Sequence, residues 1–420
     1  ILLVAIFASY SPVLVLGQTY NFMAPVSEDF LPNEKSTLFG TTGNKIGIYQ
    51  AIWPNIVLAR DSVLNGEFPL WNPHVALGKP LAIDFELHLL SPIMLPFLLP
   101  VEFWDVALLF GVWLAGFFTF LFLRSLRLGF ASSISGGIIY MLSGAFVTNL
   151  PDPGVAVIIF TPLILFSIEK IIQNKNPKFI VLGAVSLACG ILGEHLETII
   201  LQLMLIISYF IFRVLSIYRN SRINSDQLTV TVSNYNLKRI ISWSLVAFIC
   251  AIGLTAFFIL PAYDFMQNNH LEHDCAVLTS IDLACEPIGP NYYDPIILSS
   301  NFIPYILGQL HAYWLVVTSG FVGFWGYVGT LGLFFSILGL LTISKKDNPH
   351  RFIPLFFIGI SVFFILKTVG TPLINSIGYL PILNLVSFTG YLGAIIPIGF
   401  AVAASFGVEY IGKFNVKKIT

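Results

Sequence analysis

The hydrophobic positions of this chain fall in long blocks separated by short polar connections. A helix needs about 20 apolar residues to cross a bilayer, and about 17 as a lower limit. The blocks predict ten membrane-crossing helices, the shorter ones extending into their flanks: Ile1–Gly17, Asp105–Phe122, Phe130–Leu150, Val155–Ser167, Phe179–Leu192, Thr198–Phe212, Ile241–Leu260, Phe324–Ile343, Phe352–Leu366 and Tyr391–Ile411. An even number of spans puts both termini on the same side. Three longer polar regions remain, 18–104, 262–323 and 216–237, and no appended soluble domain, so 1–420 reads as one membrane domain. The first block is already apolar at Ile1 with no Met before it, which predicts a first span truncated at its N-terminus.

Charge supplies the orientation. Sixteen of the 21 basic residues, from Arg124 and Arg127 to Lys417 and Lys418, fall on one set of alternate connections; of the 22 acids only Glu169, Asp226, Asp347 and Glu409 join them. Basic loops stay in the cytoplasm. The expectation is therefore a multi-pass plasma-membrane protein with cytoplasmic termini, a cytoplasmic loop at 216–237, and large outer loops at 18–104 and 262–323. Composition agrees: 56% of residues are hydrophobic, 10% are charged, and the mean hydropathy is +0.84, outside the soluble globular range. The net charge of −1 says little, because the two signs lie on opposite faces. The bilayer is the expected partner, and nucleic acid is not.

Within 18–104, Ile46–Leu64 carries apolar residues at helical spacing and predicts an interfacial amphipathic helix. Leu87–Pro100 is apolar but interrupted by Pro92, Pro96 and Pro100, and reads as an interfacial or re-entrant segment too short to span. Trp53, Trp71 and Trp104 fit a belt of aromatic residues at the headgroups. Cys189 and Cys250 fall inside spans as packing residues. Cys275 and Cys285 lie in the second outer loop, where an oxidising exterior permits a disulfide. A metal site with His270, His273 and Asp274 is the rival reading of that pair, weaker because CxxC spacing is missing.

Polar groups able to do chemistry cluster at four places on the outer side. They are Ser27-Glu28-Asp29; the stretch Trp71-Asn72-Pro73-His74 with Asp84, Glu86 and His88 after it; Asp152 in a tight turn; and Gly193-Glu194-His195-Leu196-Glu197-Thr198. Carboxylates beside a membrane are usually solvated and inert, which is the plain reading of Glu28, Glu34 and Glu67. Two acids and a histidine ending an apolar hairpin are harder to dismiss, since they are costly unless they face water or partners. Asp84 and Glu86, one residue apart, would share a side of an extended segment and could pair on a metal or in acid/base work. No phosphate loop, zinc motif or nucleophile elbow occurs.

In order along nearly the whole chain, these motifs resemble those of the YfhO-like family of bacterial and archaeal membrane proteins, which look like GT-C glycosyltransferases. Asn65-Gly66-Glu67-Phe68-Pro69-Leu70-Trp71-Asn72-Pro73 and Gly78-Lys79-Pro80-Leu81 resemble the family's G-x-x-PLWNP…G-x-P-L segment. Leu114-Ala115-Gly116 through Arg124-Ser125-Leu126-Arg127-Leu128-Gly129 is similar to its LAG…LR-LGL span, and Tyr140-Met141-Leu142-Ser143-Gly144 to its A-x-SG stretch. His195-Leu196-Glu197-Thr198 resembles its GHPET turn, Leu260-Pro261-Ala262-Tyr263 its LPT-x-E exit, and Tyr327-Val328-Gly329-Thr330-Leu331-Gly332-Leu333 its YIG-x-x-PL span. Only the PLWNP motif is specific by itself.

The resemblance implies an all-α fold of about ten spans, a polyprenyl-phosphate-linked sugar donor, and a glycan, lipid or protein acceptor on the outer face. It implies Asp29 as general base, in a segment similar to the family's P-x-D-x-L. Asp84 and Glu86, standing where the family has Asn-Pro-Gln, are the further catalytic candidates and the ligands for a divalent Mg or Mn ion. Trp71, Asn72, His88, Asp152, Glu194, His195 and Glu197 are the substrate-binding candidates, His195 and Glu197 toward the donor phosphate or sugar. Two departures favour the alternative, a non-catalytic flippase, channel component or assembly subunit of the same fold: Gly47 replaces a family aspartate, and Ser387-Phe388-Thr389-Gly390-Tyr391 lacks the family's two arginines.

Overall fold

The computed structural model describes residues 1–16, 52–75, 77–83, 87–150, 153–174, 176–224, 236–268, 290, 326–344, 350–386, 388 and 395–419. Within them the chain is nearly all helix. Helices α1 (Leu2–Ser9) and α2 (Ser11–Leu16) precede α3 (Trp53–Leu64). A two-stranded hairpin follows, β1 (Trp71–Asn72) antiparallel to β2 (Lys79–Pro80). Then come α4 (Trp104–Ser125), α5 (Phe130–Met141), α6 (Gly144–Asn149), α7 (Pro153–Gln173), α8 (Lys178–Ile191), α9 (Leu196–Asn224) and α10 (Leu237–Asn268). The last are α11 (Thr330–Gly339), α12 (Ile353–Thr368), α13 (Pro372–Asn375) and α14 (Ile396–Ile419).

Each of the ten apolar blocks contains helix in its described part, but length separates them. Among the described residues four helical stretches are long and apolar enough to cross a membrane: Val101–Ser125, Gly154–Gln173, Leu196–Arg219 and Leu237–Phe265. A fifth is counted if the pair Ile353–Thr368 and Pro372–Tyr379, bent by 89°, is one broken span. That bend has a local cause. Gly370 takes the left-handed φ of +71°, Thr371 N–H returns to Leu366 O, and Pro372 then bars a helical residue before it. Block 130–150 breaks similarly, at extended Ser143, where Gly144 N–H bonds Tyr327 O at 2.7 Å instead of its own helix.

Two helices form the centre. The apolar window of α7 is 83% buried, against α4, α8 and α9. Helix α14 packs on α5, α11 and α12, and Ala401 through Ser405 have no exposed surface. Small residues let α11 and α14 nearly touch. A Cβ on Gly407 would lie 2.0 Å from Phe335 O, and one on Gly339 2.1 Å from Ala403 O. By contrast the window of α10 is only 28% buried. Water would not tolerate so apolar a surface, and lipid would.

Arg124, Arg213, Arg239 and Lys413 gather at one end of the bundle. Gln173 Nε2 bonds Ser125 O at 2.9 Å and Arg239 reaches Ile172 O, tying α4, α7 and α10 together there. Glu409 on α14 accepts from Gly129 N–H and Ser132 Oγ, both at 2.8 Å, and pairs with Lys413. Glu169 and Arg213, which the sequence offers only as edge charges, form a buried pair at this end. Arg213 donates through Nε and Nη2, and Tyr209 Oη and Gln173 Nε2 fill the remaining acceptor sites at 2.7 and 3.0 Å. With all four partners in place the buried charge is fully hydrogen-bonded, as burial requires.

The opposite end carries a cap built from residues 52–103 with its own small core. Trp53 and Trp104 stack with ring centres 5.1 Å apart, Phe97 packs edge-on to Trp104, and Ile56, Leu81, Leu87 and Met94 close around them. The Trp104 indole N–H is satisfied by Phe97 O and Leu99 O. Trp53 and Trp104 are therefore core residues and not members of a headgroup belt; of the three belt candidates only Trp71 is exposed. The segment 87–100 turns out to hold a short 3₁₀ helix, Pro92–Leu98, and does not span.

Candidate functional site

The cap-side ends of α7, α8 and α9 meet the cap at a polar seam. Helix α8 stops at Ile191, and Glu194 takes the left-handed φ of +62° that reverses the chain, its N–H bonding Ile191 O at 3.0 Å. Gly193 is required beside it, because a Cβ there would sit 2.8 Å from the backbone nitrogen of Val157. His195 then caps α9. Its Nδ1 accepts the Thr198 N–H at 3.3 Å and lies 2.9 Å from Thr198 Oγ1, which places the ring proton of the neutral form on Nε2. One turn on, buried Gln202 donates to Val157 O and Thr161 Oγ1, both at 2.9 Å.

Glu194 is the hinge between bundle and cap. It is wholly buried, yet its two oxygens accept the backbone N–H groups of Leu90 and Leu89 at 2.8 and 3.1 Å. A carboxylate holding two amides is a charge-assisted clamp, and it fixes 88–91 on the α8–α9 turn. His88, at a left-handed φ of +43°, turns its ring inward; burial lowers its pKa to about 4, so it is neutral at pH 7. Its Nδ1 and the Trp53 indole N–H have no hydrogen-bond partner, and both residues line a cavity of about 30 Å³ walled by Ile93, Phe97, Val155 and Ile159. That volume suits one water between the two groups.

The structure thus brings His88, Glu194, His195 and Glu197 to one seam. Trp71 and Asn72 belong to the hairpin, where Asn72 Nδ2 donates to Asn55 Oδ1 and its Oδ1 accepts from His74 N–H. With Asn55, His74 and Lys79, Asn72 lines a polar hollow of about 190 Å³ against α3. Asp29, Asp84, Glu86, Asp152, Cys275 and Cys285 lie outside the described residues. Among the described residues no group of three or more His, Cys, Asp or Glu could hold a metal ion.

Sequence reasoning missed Gln202, Asn55 and Lys367. Lys367, fully buried at the α12 bend, donates to Asn375 Oδ1 at 2.6 Å and lies 4.8 Å from the Phe388 ring centre. Its signal was legible: a lone lysine ending an apolar block just before Gly370 and Pro372.

Glu194→Ala removes both acceptors. Hydrogen bonds to a charged group contribute about 1.5–3 kcal/mol each, so the Leu89 and Leu90 amides should exchange with solvent far faster while the bundle's amides do not. Unchanged protection at those two amides would remove the clamp.

The chain matches no family model, no curated protein and no solved structure.

Proposed function

We propose that this chain is a multi-pass membrane glycosyltransferase of GT-C-like fold, moving a sugar from a polyprenyl-phosphate donor to an acceptor on the outer face. The observation that carries this reading is the Glu194 clamp. It joins Leu89 and Leu90, in the same cap as the PLWNP motif, to the turn that leads into His195–Thr198, two regions that resemble the family's. Transfer at a membrane surface needs a cap held over the ends of the spans, and the clamp provides one.

In this reading the acceptor oxygen attacks the anomeric carbon, the bond from that carbon to the phosphate oxygen breaks, and Asp29 takes the acceptor proton. His195, with its proton on Nε2, offers a donor to the departing phosphate, and Glu197 in the same turn contacts the sugar. Asp84 and Glu86 would hold a divalent cation, which supplies positive charge to the leaving group. Glu194, with both oxygens engaged by backbone, positions the others.

The test is transfer of labelled sugar from polyprenyl-phosphate donors by the purified chain in proteoliposomes. Product formation supports the reading, and none across donors with folded protein would leave a non-catalytic membrane role. Ten spans with the basic end in the cytoplasm complete the proposal. Cysteines placed at exposed Asn65 in the cap and Asn176 at the basic end test it in intact cells. An impermeant reagent should modify only the first, and modification of only the second would invert the orientation.

A further inference from the structure

We propose that the hairpin Phe68–Pro80 is a finger that seats in the bilayer leaflet on the cap side, so that the cap rides on lipid. Five large apolar side chains in ten residues stand exposed on it: Phe68, Leu70, Trp71, Val75 and Leu77. Leu77 at the tip is 105% exposed and holds a left-handed φ of +66°. Leucine gains nothing from that conformation or that exposure in water. Between Glu67 and Lys79 the finger carries no Asp, Glu, Lys or Arg.

The hairpin is two-sided. Asn72 and Lys79, paired across it, face α3 and line the polar hollow, while Trp71 and Pro80 form the neighbouring pair on the opposite face. The Trp71 indole folds over Gly78, where a Cβ would come within 2.6 Å of the ring, and so is held outward as a flat apolar plate. An exposed tryptophan with one polar N–H suits the headgroup boundary.

Continuity decides between lipid and a protein partner. Pro69, at the finger's root, lines a largely apolar trough of about 150 Å³ with Ile56, Val63, Leu95 and Leu98, Arg60 being its one charged lining residue. From there exposed Leu95, Leu99, Phe103, Val106 and Phe110 continue the apolar surface onto the side of α4. We read finger, trough and span as one surface, broken by exposed Glu102, and the solvent of a span's exposed side is lipid. This rests on the membrane reading above, and the experiment separates the two.

The full chain, its four native cysteines replaced by alanine, is labelled with an environment-sensitive fluorophore at Leu77→Cys, Phe110→Cys or Asn65→Cys and placed in phosphatidylcholine nanodiscs. Lipids bearing a nitroxide on the acyl chain serve as the quencher. Leu77→Cys should emit at shorter wavelength than Asn65→Cys and lose intensity to the nitroxide as Phe110→Cys does. Quenching at Phe110 with a water-like, unquenched signal at Leu77 would overturn the finger and leave the membrane reading standing. No quenching at either overturns both. A blue-shifted Leu77 label that acyl nitroxides do not quench means a protein covers the finger, which also overturns the proposal.

Discussion

If the chain transfers sugar as proposed, Asp29→Asn will lower that transfer by about 10²–10⁴-fold, the usual contribution of a positioned general base. Asparagine keeps the size of the side chain and loses only the ability to take a proton, so the fall should appear in turnover and not in yield or thermal stability. The motivation is the place of Asp29 soon after the first apolar block, in a segment that resembles the YfhO-like family's P-x-D-x-L. The readout is steady-state transfer by wild type and variant at matched protein, together with their melting curves. Full transfer by Asp29→Asn would take the base away from this residue. If Asp84→Asn then showed the loss, the role would move there.

The second large effect lies at the other end of the bundle. Arg213→Met strips the cation from Glu169 in a site where that carboxyl has no exposed surface. Breaking a buried pair by removing one partner costs about 3–5 kcal/mol, and Arg213 also carries two of the four hydrogen bonds to that carboxylate. The detergent-solubilised variant should therefore melt well below wild type. Combining it with Glu169→Leu should recover much of the loss, since two apolar side chains need no partners, but Tyr209 Oη and Gln173 Nε2 then lose their acceptor. A single variant melting like wild type would show that the pair is hydrated and not buried.

Helical blocks and the segregation of basic residues were readable because each depends on runs of like residues. Phe130–Leu150 reads as one continuous block, yet Leu142–Ser143 divides it, and the Gly144 N–H that a continuous helix would turn inward bonds instead to Tyr327 O, far along the chain. The same limit hid the cap's core. Trp53 and Trp104 look like headgroup tryptophans until Phe97 O and Leu99 O are found to satisfy the Trp104 N–H. At the seam, the residue types were legible and their division of labour was not. Glu194 and Glu197 look equivalent in sequence, and only the left-handed turn at Glu194 sends its carboxylate back to residues 89 and 90.

The central placement of α14 sets a constraint on biosynthesis. The groove lined by α5 is closed by a helix that leaves the ribosome long after it, and Gly129 waits for a carboxylate 280 residues later. At roughly 5–20 residues per second that wait lasts on the order of half a minute, during which Gly136 on α5 has no α14 against it. Insertion factors or chaperones that shelter small-residue faces of unfinished bundles would act in that interval. A nonsense mutation just before Ile396 would leave an inserted chain permanently in that state, a substrate for membrane quality control even though every preceding helix had been made.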